Sequence, residues 1–264
     1  MSLTISSLYF SPIKSLSFQN IKKATIKKQI GILHDRILAF SRGVDLTKAK
    51  QIEQDPTQRE LINFMTLKNT PALNKYNFEL KDNCIYLSED TKEIICSSID
   101  SEEQRQELAN KIIELEKDLP QPSYLLKNEA YPFYDTTSSE SVSNTISLIN
   151  LNSIKDFELK INQKIEFERF RGNIYIKGLK AWKERQWLGK TITINGTQFK
   201  VLRHIPRCSA TNLRINSDEQ DINLPLTLRR NYNHIDMGVY LLPLEDGEIF
   251  EGNEVFFILT WIVF

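Results

Sequence analysis

Residues Thr191 to Leu202 read T-I-T-I-N-G-T-Q-F-K-V-L. The β-rich runs Thr191 to Ile194 and Gln198 to Leu202 flank Asn195-Gly196. Asn and Gly both tolerate the positive φ that a two-residue hairpin turn requires, so the stretch predicts a tight β-hairpin. Outward toward the C-terminus, Gly238 to Leu242, Glu248 to Phe250 and Val255 to Trp261 read as further strands, with Gly252-Asn253 a turn between the last two. Pro225 ahead of Leu226 to Arg230 predicts a short helix, because proline is pre-set for a first helical turn. Another short helix is expected near Asn152, whose side chain can cap it.

Toward the N-terminus the chain is again β-rich. Ile5 to Phe10, Ile21 to Lys28, Arg36 to Phe40, Phe64 to Leu67, Tyr76 to Leu80 and Cys84 to Leu87 are short runs separated by polar, Gly or Pro punctuation. Short strands at this spacing suggest a barrel or a sandwich. One clear helix follows: Ser101 with Gln104 forms a capping-box pattern, and Leu108, Ile112, Leu115 and Leu119 make an apolar stripe that Pro120 and Pro122 end. Gln121 to Ser143 reads as a connector, and Tyr131 to Glu140 as either a lid or a passive linker.

Composition narrows the function classes. The 264 residues carry 34 basic and 34 acidic side chains, a net charge of +0, so no global electrostatic drive toward nucleic acid exists. The three cysteines, Cys84, Cys96 and Cys208, fit a reducing compartment and a cytoplasmic location, and are too few for an iron–sulfur cluster held by four. No secretory signal is visible in Met1 to Phe10. The apolar stretch Phe256 to Phe264 is far short of the ~20 residues of a membrane-spanning helix and reads as a buried strand. The three histidines have no i, i+4 pairing for zinc, and no P-loop or G-x-G-x-x-G is present.

The segment R-H-I-P-R-C-S-A-T-N (Arg203 to Asn212) sets Cys208 beside Arg207, with Arg203 and His204 nearby. Neighbouring cations favour the thiolate, which is both nucleophile and metal ligand. A small buried core cysteine is the alternative reading.

The stretch P-R-C-S-A-T-N (Pro206 to Asn212) resembles the cysteine signature of MOSC domains, which are related to the C-terminal domain of molybdenum-cofactor sulfurases. Further resemblances follow in the family's order. They are S-P-I-K-S-L (Ser11 to Leu16), G-I-L-H-D-R (Gly31 to Arg36), S-L-I-N-L-N-S-I (Ser147 to Ile154) and F-R-G-N-I-Y-I-K-G (Phe170 to Gly178). W-L-G-K (Trp187 to Lys190), N-H-I-D-M-G-V-Y (Asn233 to Tyr240) and G-E-I-F-E-G-N-E-V (Gly247 to Val255) complete the series.

The resemblance implies a mainly β protein with a few helices. An N-terminal β-barrel domain (1–100) would pack, through a helix and connector (101–143), on a C-terminal β-barrel MOSC domain (144–264), with a cofactor in the cleft between them. It implies a molybdenum-molybdopterin cofactor, with Cys208 as metal ligand and catalytic residue, as in the amidoxime-reducing proteins. Lys14 and Ser15 would hold the pterin phosphate. Arg36, Arg171, Asn173, Pro206, Arg207 and Tyr240 would be further cofactor contacts. The family is also associated with pyridoxal phosphate binding. The implied reaction is reduction of a small N-hydroxylated substrate, with an external ferredoxin- or flavin-type reductase as electron donor and no nucleic acid or transmembrane segment involved. A sulfur carrier with a persulfide on Cys208, and a cofactor-binding module without turnover, remain as alternatives. The chain departs from the family pattern at Ile205, where many relatives have a second cysteine, at Gly172, where many have proline, and at Pro206, where the reductases have serine.

Overall fold

In the computed structural model, residues 2–134 and 144–257 are described. In chain order the first elements are β1 (Thr4–Phe10), β2 (Gln19–Ile21), β3 (Lys23–Lys27), β4 (Gly31–Ile32), β5 (Leu38–Phe40) and α1 (Leu46–Gln54). Then come β6 (Tyr76–Lys81), β7 (Cys84–Glu89), β8 (Lys92–Ser98), α2 (Glu102–Leu115) and β9 (Leu125–Lys127). The remainder comprises β10 (Ile146–Asn150), α3 (Leu151–Ile161), β11 (Ile174–Lys177), β12 (Thr191–Ile194), β13 (Thr197–Pro206), α4 (Leu224–Tyr232), β14 (Asp236–Pro243), β15 (Gly247–Phe250) and β16 (Val255–Phe257).

The chain is mainly β with a few helices. Asn195 (φ 49°) and Gly196 (φ 80°) form the predicted turn between β12 and β13. That hairpin belongs to an eight-stranded sheet of order β16-β12-β13-β14-β10-β11-β1-β2. Its central strand β10 is buried throughout, pairing parallel to β11 and antiparallel to β14, so it reads as continuous rather than alternating burial. Separate sheets join β15-β3-β4, β5-β9 and β6-β7-β8.

The sequence suggests two packed β-barrels, and the described strands bear out the coarser statement of a mainly β chain. No sheet closes by a continuous ladder among the described residues. The two sides of the large sheet meet at one bridge, Thr4 with Glu254, and through backbone bonds such as Ile5 N to Asn253 O at 2.8 Å. Strands from the two ends of the chain also interleave: β1 pairs with β11, and β3 with β15. One apolar core, with Leu8, Ile26, Leu148, Ile174, Phe199, Leu241 and Ile249, therefore draws on residues throughout the chain. A second, with Phe40, Phe78, Leu87, Leu108 and Ile112, lies among β5, β6, β7 and α2.

Local expectations fared unevenly. Ser101 caps α2 by accepting from Gln104 N, while Gln104 turns its own side chain to Ser98 N instead of closing the box. Asn150, not Asn152, caps α3. Phe64 to Leu67 is not a strand but an irregular run with one bridge to Ser41. Helix α1, capped by Asp45, and strand β9, within the expected connector, were not anticipated. Of the C-terminal run, Phe256 and Phe257 are exposed rather than buried, and 258–264 fall outside the described residues, as do 135–143 of the expected connector and lid.

Gly238 on β14 is a tight backbone contact between strands. Its φ is +87°, and a Cβ there would meet Leu148 O at 2.3 Å, on the neighbouring central strand. Gly238→Ala is expected to lower stability by about 2–4 kcal/mol, since strain and collision act together. The shift is read as the urea midpoint, and an unchanged midpoint would mean that β10 and β14 do not approach as described.

Candidate functional site

Beyond the C-terminal ends of β1 and β13, a cleft of about 880 Å³, counted to its open mouth, is lined by all nine residues singled out from the sequence. Strand pairing brings them together. β1 beside β11 sets the turn that follows β1 next to residues 171–173. Ser147 opposite Tyr240, and Arg203 opposite Tyr240, bring β10, β13 and β14 to the same wall. Four cations, Lys14, Arg36, Arg171 and Arg207, line the cleft, and no carboxylate is among the described lining residues. A chain of zero net charge thus concentrates positive charge at one place.

Each cation is held differently. Lys14, 3% exposed, donates to the carbonyls of Phe133 and Tyr134, both at 3.1 Å. Arg36 donates to the buried carboxylate of Asp35 and lies over the Tyr134 ring at 5.4 Å. Arg171 donates to Leu16 O at 2.6 Å and stacks on Phe18 at 4.5 Å. Burial, and then the nearby Arg36 charge, push the Arg171 guanidinium down to about 10, while Cys208 acts in the opposite sense. Burial likewise lowers Arg207, which donates to Phe170 O at 2.6 Å and, through Nε, to Met237 O at 3.0 Å.

The backbone under these groups is unusual. Ser15 (φ 65°), Arg36 (φ 56°) and Arg171 (φ 51°) all sit in the left-handed region. Such residues each cost on the order of 1–3 kcal/mol and cluster at binding sites, where the surrounding structure holds them.

Asn173 has a different part from a free recognition amide. Its Oδ1 accepts from Ser147 N and Oγ, and its Nδ2 donates to Tyr9 O and Asp35 Oδ2, so all four of its hydrogen-bonding positions are engaged inside the protein. It ties β10 and β1 to Asp35, and through Asp35 to Arg36. Burial pushes the Asp35 carboxyl up, and Arg36 opposes this most strongly.

Cys208 is an exposed free thiol at the start of a short turn, Ser209–Asn212, and makes no side-chain cap bond. Pro206 is exposed beside it, and Tyr240 lies under the Arg203 guanidinium at 5.3 Å. Ile205, buried at 2%, also faces the cleft. The histidines are not among the lining residues. His204 Nε2 contacts Arg185 O at 3.1 Å, and His234 Nδ1 receives Asp236 N at 3.2 Å.

Sequence reading missed Arg169, whose side chain is fully buried. It donates to Thr211 O at 3.1 Å, Asn212 O at 2.5 Å and Asp221 Oδ1 at 2.7 Å. The segment Arg169-Phe170-Arg171 therefore brackets Cys208. Arg169 grips the turn after it, Phe170 O receives Arg207 just before it, and Arg171 reaches the cleft. The available signal was a charged residue two positions before Arg171 on the opposite side of a buried phenylalanine, which is weak without coordinates.

Residues 135–256 match the MOSC domain model. The chain is 29% identical over 121 residues to mitochondrial amidoxime reducing component 2 of Rattus norvegicus, a match spanning 46% of this chain and 32% of that protein. Among solved structures it resembles the YUAD protein from Bacillus subtilis, at 11% identity and TM-score 0.44, over 97% of this chain and 94% of that one. YiiM from Geobacillus stearothermophilus gives 18% identity and TM-score 0.35 over 43% and 53%.

Replacing Arg169 by Met leaves two buried carbonyls and the Asp221 carboxylate without their donor. A loss of about 3–5 kcal/mol is expected, with a changed rate of Cys208 alkylation by iodoacetamide at temperatures where the variant is folded. Wild-type stability together with a wild-type alkylation rate would show that Arg169 does not hold the turn.

Proposed function

We propose that the cleft binds a molybdenum-pyranopterin cofactor, with Cys208 as the protein ligand to the metal, and that the chain is a cytoplasmic oxidoreductase reducing small N-hydroxylated compounds. The observation that carries this reading is the convergence of residues from distant segments on one cationic cleft, with no carboxylate among its described lining residues and an exposed thiol in its wall. The donor set fits the group. A thiolate is a soft ligand suited to a thiophilic metal, and lysine and arginine suit a multiply charged phosphate. The partial match to an amidoxime reducing protein supports the substrate class.

Within this reading the chain's own residues have separate tasks. Lys14 and Ser15, on a left-handed turn, meet the phosphate. Arg36 and Arg171, each backed by an aromatic ring, neutralise the remaining negative charge. Asn173 and Arg207 act from behind, the first fixing Asp35 and Ser147, the second anchoring the strand that presents Cys208. Pro206 and Tyr240 form the wall beside the thiol. When bound, the molybdenum centre supplies oxygen-atom transfer, and the protein positions and tunes it. Electrons come from an external ferredoxin- or flavin-type reductase. Among the described residues no helix is long and apolar enough to cross a membrane.

Protein produced in a host that makes the cofactor is expected to carry near-stoichiometric molybdenum and pterin, with the metal lost in Cys208→Ala. The loaded protein is expected to turn over an amidoxime when a reductase is supplied. Metal absent from both forms, with a persulfide found on Cys208 by mass spectrometry, would replace this reading with that of a sulfur carrier.

A further inference from the structure

Two of the chain's three cysteines lie outside the cleft, on neighbouring strands. β7 and β8 pair antiparallel, with Cys84 opposite Ser98 and Tyr86 opposite Cys96. Side chains alternate between the faces of a strand, so Cys84, Tyr86, Cys96 and Ser98 share one face. Ile85 and Leu87 point the other way, into the core. The two thiols are thus diagonal neighbours on the solvent side, Cys84 half-buried and Cys96 exposed.

The surroundings favour a cation. Cys96 stands directly opposite Tyr86 and diagonal to Cys84 in the ladder. Asp82 and Asp100 place negative charge on Cys84, and Glu93 does so on Tyr86. Lys127 pairs with Asp100 at 2.6 Å and with Glu129 at 2.8 Å, and Lys81 stands directly opposite Cys84 on β6, so the two lysines offset this charge in part.

Distance selects the chemistry. Diagonal neighbours across an antiparallel pair stand about 7–8 Å apart, with Cβ atoms somewhat closer. A disulfide requires Cβ atoms about 3.5–4.5 Å apart, so it would need backbone movement. Two thiolates sharing one metal ion at ~2.3 Å per bond can stand up to ~4.6 Å apart, which a diagonal pair of cysteine side chains can span. Soft sulfur ligands suit copper(I) and zinc, but zinc takes four ligands and no group of three or more His, Cys, Asp or Glu side chains is placed to hold a metal among the described residues, so two sulfurs favour copper(I).

We propose that Cys84 and Cys96 form a surface clip for one soft, thiophilic cation of the copper(I) class, with Tyr86 beside it. On binding, two metal–sulfur bonds form, the two thiol protons leave to solvent, and no electron is transferred. The site is independent of the reading given to the cleft.

The test is titration of the purified full chain with copper(I) in competition with a colorimetric copper(I) chelator. Wild-type protein is expected to bind one copper that Cys84→Ser and Cys96→Ser each bind at least about a hundredfold more weakly, because either substitution removes the chelate. Cys208→Ser is expected to retain that copper. Thermal transitions of the two serine variants, whose changes lie on the solvent face, check that they are folded. Loss of the copper in Cys208→Ser, or its retention in either Cys84→Ser or Cys96→Ser, would overturn the proposal. So would ready closure to a Cys84–Cys96 disulfide by oxidised glutathione, seen by mass spectrometry, since that would require a closer pair than the clip.

Discussion

Holding several positive charges side by side is the constraint on which the cleft depends. Like charges a few ångströms apart repel by up to about 4 kcal/mol per pair at protein-like dielectric. The effect is visible here, since Arg36 helps to depress Arg171. Dispersing the cations into solvent would relieve it, but the fold instead fixes each to an immobile acceptor. Carbonyls of Phe133, Tyr134, Leu16, Phe170 and Met237 receive them, and Asp35 takes Arg36. Most of these acceptors are neutral carbonyls, which hold the cations in place without matching their charge. That is the condition for an anion site, because a cleft lined by matched carboxylates would have no charge left to offer.

The acceptors come from separated segments, so the cleft requires the interleaved topology. Residues 11–16 reach it because β1 lies beside β11, and residues 133–134 because the segment after β9 returns to Lys14. Such cross-bonds join segments far apart in the chain. Here several are buried: Asn173 alone links β1, β10 and the turn at Asp35. The left-handed residues belong to the same arrangement. Ser15, Arg36 and Arg171 each occupy a conformation that local sterics disfavour, and buried hydrogen bonds around them supply the compensation.

What was legible in the sequence divides along the same line. The hairpin at Asn195-Gly196, helix α2 and helix α4 were readable because turn chemistry, an apolar stripe and a first-turn proline are local signals. The nine cleft residues were readable only through the family resemblance, since no periodicity connects Lys14 with Tyr240. Helix α1, L-T-K-A-K-Q-I-E-Q, was missed because only Ala49, Ile52 and Glu53 are buried and its apolar stripe is correspondingly thin. The capping role of Asn150 was assigned two residues late because Asn150 and Asn152 are equally good caps in isolation. The all-buried strand before α3 decides between them. Arg169 was hidden for a stronger reason: its partners Thr211, Asn212 and Asp221 lie more than forty residues away.

The departures from the family pattern become intelligible in these terms. At the Gly172 position a proline would have no N–H, yet here that N–H donates to the Tyr175 hydroxyl at 2.9 Å. A Cβ on Gly172 would also stand 2.7 Å from Ile149 Cδ1. The glycine is therefore matched to Tyr175 and Ile149, and it leaves Arg171 free to take its left-handed turn without a following ring that disfavours other backbone regions. At Ile205 the consequence is chemical. The side chain that replaces a second cysteine is buried against the cleft, so the wall near Cys208 presents one sulfur and an apolar surface. An intramolecular disulfide cannot form between these positions. Under the proposed reading Cys208 then acts alone as the metal ligand, and the cationic cleft behind it supports that role over a single-sulfur carrier, because a persulfide by itself needs no binding site for a phosphate.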